Sequence, residues 1–325
     1  MKKKLLAIAL LMTMLVMVSC NRSPQGRTLQ LSFGGSVPGA VMFYMVGAFS
    51  SIVTPMVPGV NITNVSTSAA FDTAIRMARG ELDFGLTQDM IVNELARNVG
   101  SFSDPQWHGL GENLQAVAWT HSNDFYFTAL RSSGIRTIDD LDGKIVSTGA
   151  PGSGVQYIAD QVIEVLELNF ERQHLAFSDY VFALREGRVD AVTMTGSPAG
   201  AINELAELDD IIIIPFTYEQ IARLQAGNPF FFPDYMPVTM YRGMTEPVLL
   251  PHFKIYMVAH QSVPEQVVYD ILNAAFQPST IEALVQIHPN WATFTGDITS
   301  AQANGVTIHP GALRFFQENP WAPNL

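Results

Sequence analysis

Asp140–Leu168, DLDGKIVSTGAPGSGVQYIADQVIEVLEL, is the stretch that decides the fold. Asp139–Asp142 reads as an acidic turn or short helix, and Lys144–Thr148 as a strand. Gly149–Gly154 is a Gly/Ser turn, rich in the residue that reaches conformations others avoid. Val155–Leu168 then repeats its apolar residues at helical spacing. Strand, tight turn and helix in that order form the repeating unit of an α/β fold. The turn also sets backbone N–H groups at the positive end of a helix, where a carboxylate or another acceptor binds.

The same alternation runs outward on both sides. Strands are expected at Thr28–Phe33, Val60–Val65, Phe84–Leu86, Leu114–Trp119, Phe125–Leu130, Ala191–Thr195, Ile211–Pro215 and Phe253–Ala259. Helices are expected at Val41–Val53, Ala69–Arg79, Met90–Asn98, Tyr180–Glu186, Ala199–Leu208, Pro264–Phe276 and Thr280–Val285. Phe125–Leu130 and Phe253–Ala259 bracket a compact block of strand–helix units. That order suggests an inserted lobe with two connections. Lobe 1 would comprise 28–131 plus 248–325, and lobe 2 would comprise 132–247. Two lobes leave a cleft, a preferred place for a ligand.

The chain has 325 residues and a net charge of −12, from 18 basic and 30 acidic residues. Nucleic acid is excluded as a partner, since phosphate contacts need Lys and Arg. The one cysteine, Cys20, rules out an internal disulfide framework and a Cys-rich zinc site. The seven histidines never fall three or four apart, so no helical metal pair exists. Pro151 stands where a GxSxG elbow around Ser153 would need glycine. Walker and GxGxxG loops are absent and the carboxylates are scattered, so no cofactor and no catalytic residue are expected.

Residues 1–20, MKKKLLAIALLMTMLVMVSC, have a basic start and an apolar run, Leu5–Val18, shorter than the ~20 residues of a spanning helix. Cys20 follows the small Ser19, which resembles a bacterial lipoprotein signal; the residue three before the cysteine is Met17, where leucine is usual. That resemblance implies acylation of Cys20. Residues 21–27 read as a tether, placing an exported body at the membrane surface without spanning it. Cleavage before Cys20 removes Lys2, Lys3 and Lys4, leaving 15 basic against 30 acidic residues, a net charge of −15.

Candidate binding residues lie where strands run into helices, because ligands in open α/β sheets gather at the carboxyl ends of strands. They are Ser36, Phe43 and Tyr44 after the first strand, and Thr67 and Ser68 after the second. Gln88 follows the third, with Asp89 reading as the cap of the next helix. Trp119 ends a strand; Gly152, Ser153, Gly154 and Val155 form the glycine turn; Thr195 and Gly196 end the Ala191 strand. Helix capping is the alternative for Thr67, Ser68 and Ser153, and core for Trp119. Phe230, Phe231, Phe232 and Tyr235 lie in a Pro-flanked loop, either as core beneath it or as a cleft rim.

Four segments in this order resemble the TAXI family of TRAP-transporter solute receptors: Gly34–Gly47 (GGSVPGAVMFYMVG); Ser66–Ala70 with Arg79–Asp89 (RGELDFGLTQD); Asp140–Val146 with Gly149–Gly154; and Leu184–Ala191 (LREGRVDA). The resemblance covers about 28–290. It implies a type II two-lobed periplasmic-binding-protein fold, a small organic solute in the cleft, TRAP membrane permease subunits as partners, and no catalysis. Ala40 and Val41 stand where that family pairs glycines, and Val155 where it has threonine. Thr67-Ser68-Ala69-Ala70 replaces its Thr-Gly-Gly-Ser turn. These changes favour a larger or less polar solute, with a carboxylate still accommodated at the glycine turn. An enzyme on the same fold and a sensory or structural lipoprotein are the competing readings.

Overall fold

The computed structural model describes residues 28–38, 40–298, 301 and 305–322. The signal-like segment, the tether and Cys20 lie outside the described residues. Ten strands form one continuous sheet: β1 Leu29–Gly34, β2 Val60–Val65, β3 Phe84–Gln88, β4 Leu114–Leu130, β5 Ile145–Ser147, β6 Glu171–Gln173, β7 Ala191–Thr195, β8 Ile211–Ile214, β9 Phe232–Met236 and β10 Val248–His260. The main path runs β2-β1-β3-β10-β4-β7-β5-β6, with β8 on β4 and β9 on β10. Ten α-helices flank it among the described residues: α1 Val41–Val53, α2 Ala70–Ala78, α3 Asp89–Arg97, α4 Gly154–Leu166, α5 Tyr180–Arg185, α6 Gly200–Leu208, α7 Tyr218–Gly227, α8 Glu265–Ala275, α9 Pro278–Ile287 and α10 Pro310–Glu318. None of the helices searched is long and apolar enough to cross a membrane.

β4 joins the two halves of the molecule. Its first part pairs antiparallel with β10, from Leu114↔His260 to Asp124↔His252. Its second part pairs with β7 and β8, with Phe125↔Thr195 and Phe127↔Ile214 in register. The expected strands Leu114–Trp119 and Phe125–Leu130 are therefore one 17-residue strand. Thr120-His121-Ser122-Asn123-Asp124 looks like a loop by polarity, yet its backbone groups are met by β10 and four of the five side chains are buried.

Parallel pairing of β1 with β2 and β3 sets Phe33 beside Phe84 and against Phe49 of α1, with Leu86 buried on the same face, while Gly34 and Gly85 face α2. An aromatic stack, Phe33–Phe49–Trp291–Phe294–Phe276, continues that core with centroids 4.4–5.6 Å apart. Phe125, Phe127 and Phe216 anchor the other half, within one continuous apolar cluster. The segment holding Phe230–Tyr235 contains β9 rather than only a loop. Pro233 sits there opposite Pro251, and Phe231 is 1% exposed. β6, α7 and α10 form where no element was expected.

Candidate functional site

Three helices begin at one small cavity of about 50 Å³. Ala40–Met42 open α1, Ser68–Ala70 open α2, and Ser153–Val155 open α4, all lining it. First-turn N–H groups have no partner inside their own helix, and the helix end carries partial positive charge. Ser153 caps α4 by accepting from Gln156 N at 3.1 Å. Ala40 and Ala69, at the corresponding positions of α1 and α2, provide no side-chain cap. Two of the three helix starts thus leave their donors to whatever enters the cavity.

Strands supply the remaining polar groups, from the ends of β3 and β7 and the middle of β4. Gln88, at the end of β3, is 1% exposed and its Oε1 makes no hydrogen bond. Asn123 of β4 and Thr195 of β7 also line the space. Among the described residues no Lys, Arg, Asp or Glu lines it. The cavity is small because the halves meet: a methyl added at Gly154 would stand 3.1 Å from Gln88 Nε2 and 3.6 Å from Ala70 Cβ.

Ser36, Ser68, Gln88, Ser153, Gly154, Val155 and Thr195 come together here. The other expected residues lie around them. The Thr67 hydroxyl accepts from Ser36 N at 2.8 Å and pairs with Thr73 at 2.7 Å, while Thr67 N donates back to Ser36 O at 3.1 Å. Thr67 thereby holds Ser36, a non-glycine residue at φ +96°. Gly152, at φ +74°, shapes the turn before Ser153. A side chain at Gly196 would meet Asn123 Oδ1 at 3.0 Å, so that glycine lets Asn123 sit where it does. Asp89 is the first residue of α3 rather than its cap; its carboxylate accepts from Met90 N at 2.8 Å. Burial pushes the Asp89 pKa up to about 8.

An outer groove of about 640 Å³ shares Val41 and Phe177 with the cavity and forms its mouth. Tyr44 stands in it, half-exposed, against the edge of Phe43 at 6.2 Å. Trp119 lies elsewhere, in a groove of about 560 Å³ along the crossing strands, with Lys254 Nζ 4.3 Å above its ring. Asn123, Met42 and Phe177 were not foreseen. Asn123 lies in the polar run that reads as a loop, and Phe177 opens a one-turn helix without a turn signal of its own.

A family model matches residues 34–319. The chain belongs to the NMT1-like family. Solved structures show what this NMT1-like chain is similar to in fold. A putative L-cystine ABC transporter from Listeria monocytogenes is 13% identical, with a TM-score of 0.50 over 81% of this chain and 95% of that one. The alkanesulfonate-binding protein SsuA from Xanthomonas axonopodis pv. citri, bound to MOPS, is 15% identical, with a TM-score of 0.51 over 90% and 94%. The probable amino-acid ABC transporter extracellular-binding protein YtmK from Bacillus subtilis is 14% identical, with a TM-score of 0.50 over 81% and 97%. Identity this low speaks for the fold alone. The fold is the α/β, two-lobed architecture of type II periplasmic binding proteins, as the four-segment resemblance implies.

Proposed function

We propose that this NMT1-like protein is an extracytoplasmic solute receptor, which closes its lobes on a small organic molecule and presents it to a membrane transporter. The observation that carries the reading is the meeting of three helix starts with the ends of β3 and β7 and the middle of β4, drawn from both sides of the crossing strands, at one cavity. Their N–H groups favour an acceptor such as a carboxylate, and Gln88 Oε1 asks for a donor on the same solute. Val41, Met42, Val155 and Phe177 suit a less polar remainder. A solute larger than a few atoms requires the lobes, taken as 28–131 with 248–325 and as 132–247, to part about β4 and β10.

The four-segment resemblance supports a TRAP-type permease of the TAXI class as the partner, and a binding role without catalysis. Cys20 and the tether 21–27 would hold the exported receptor near that permease by a lipid anchor, raising its effective concentration. A thermal-shift screen of metabolites tests the reading, paired with native mass spectrometry of the purified protein. A true solute raises the melting temperature by mass action, corresponding to about 2.7 kcal/mol at 100 times Kd. No shift from any compound together with a bare chain in the mass spectrum would overturn it, as would catalytic turnover of a bound compound.

A further inference from the structure

The groove along the crossing strands shares no lining residue with the cavity at the helix starts. It occupies about 560 Å³ between β4, β9, β10 and Pro289–Thr293. Buried polar atoms without hydrogen-bond partners gather on its walls. Asp124 is 3% exposed; its Oδ2 accepts from the Ser197 hydroxyl at 2.6 Å, and its Oδ1 makes no hydrogen bond. His252, opposite Asp124 in the β4–β10 register and 8% exposed, has neither ring nitrogen bonded. His121 Nε2, beside the Asn123 amide, makes none either.

The protonation of His121 follows from its neighbour. Thr120 has one hydroxyl proton and donates it to Ile255 O at 2.9 Å. In the 3.0 Å contact between Thr120 Oγ1 and His121 Nδ1 the ring is therefore the donor. A neutral His121 then presents Nε2 as a lone pair beside the Asn123 amide. Burial keeps both imidazoles neutral, so they add acceptors rather than positive charge.

The charges point the same way. Asp124 and Asp234 line the groove, and among the described residues no Lys or Arg does. Lys254 is engaged with the Trp119 ring and with Asp297 Oδ2 at 3.4 Å. A carboxylate here would face Asp234 and the buried Asp124, whose pKa burial raises and a neighbouring ammonium ion would bring back down, with no lining cation to offset them. Among the described residues no three potential ligands stand close enough to hold a metal ion. Phe232 and Tyr235 supply aromatic faces, which attract organic cations, and Met236 and Met240 supply adaptable apolar wall.

We propose that this groove is a second binding site, for an organic ammonium ion carried on a small apolar body: its N–H groups meet Asp124, Asp234 and the two imidazole lone pairs, and its body lies against the aromatic side chains. The unpartnered donors Trp119 Nε1 and Asn290 Nδ2 receive a neutral acceptor on that body, such as an ether or carbonyl oxygen. The site stands apart from the receptor reading, since its occupant and its residues differ.

Calorimetric titration of the purified protein with three probes of one shape tests it: 2-phenylethylamine, 2-phenylethanol and 3-phenylpropionate. The amine binds at least tenfold more tightly than the alcohol, and the propionate gives no heat. Asp124→Asn weakens the amine tenfold or more, Asp234→Asn weakens it about threefold, and neither changes the alcohol. Gln88→Leu leaves the amine unaffected. Asp234 is exposed and outside the core, so Asp234→Asn decides the matter if Asp124→Asn does not fold. No amine binding at millimolar concentration, equal affinity for alcohol or propionate, or an amine affinity unchanged by Asp234→Asn would overturn the proposal.

Discussion

Gly154 of α4 and Gln88 of β3 meet across the gap between the lobes, so closely that one added methyl would stand 3.1 Å from Gln88 Nε2. Contact at that distance forces a neighbour to yield by a few tenths of an ångström. Gly154 has an ordinary backbone conformation at the first position of its helix, so a side chain there is tolerated locally. Gly154→Val therefore leaves the fold intact and wedges the lobes apart. The expected outcome is a larger radius of gyration in small-angle scattering, a melting temperature within a few degrees of the parent, and solute affinity down about tenfold.

Gln88→Leu separates stability from binding. Its Oε1 is buried without a partner, a state that costs about 1–3 kcal/mol. Replacing the amide by an apolar group of similar size removes that cost without breaking a hydrogen bond of Oε1. The variant should melt at or above the parent temperature while losing solute affinity, as read by a thermal melt and a calorimetric titration on the same sample.

Ser36 and Thr67 should respond in opposite directions. Ser36 holds φ +96°, where a side chain costs about 1–3 kcal/mol, so Ser36→Gly should raise the unfolding free energy by about 1 kcal/mol. Thr67→Val removes the acceptor for Ser36 N, leaving that buried donor unmet while Thr73 keeps its bond to Ala69 O, and should lower it by about 1–3 kcal/mol. Urea unfolding of both variants checks the pair of signs.

Two buried groups oppose each other in acid. His121, pushed down to about 3 by burial, contributes stability present above pH 6.5 and lost as the pH falls toward 3. Asp89, pushed up to about 8 by burial, contributes stability present below pH 3.8 and lost as the pH rises toward 8. Between pH 3.8 and 6.5 their slopes, each about 1.4 kcal/mol per pH unit, cancel. Asp89→Asn should make stability fall more steeply as this window is crossed toward acid, and His121→Gln should make it fall less steeply or rise. Unfolding free energies at three pH values in the window measure both.

Cys20→Ser should release the protein from the membrane fraction into the soluble extract, read by fractionation and by loss of a diacylglyceryl mass. Continued membrane association of the variant would place the anchor elsewhere.

Local chemistry carried most of the elements. Val41–Val53, Val60–Val65 and Ala191–Thr195 lie at the expected residues because apolar spacing and flanking turns agree there. The α7 start was legible and missed: Thr217 and Gln220 form a capping box. The continuity of β4 from Leu114 to Leu130 was not legible. His121–Asp124 is polar, and only the β10 partner, distant in sequence, makes a buried strand of it.

The sequence by itself determined the α/β alternation, the glycine turn before α4 and the strand ends where binding residues belong, since periodicity and turn conformation act over a few residues. Only the tertiary structure decided that Gln88, Thr195 and the starts of α1, α2 and α4 share one cavity, that Tyr44 stands at its mouth, and that Trp119 belongs to a different groove with Asp124 and His252. Those placements depend on strand register and lobe contact between residues far apart in the chain, which no local pattern encodes.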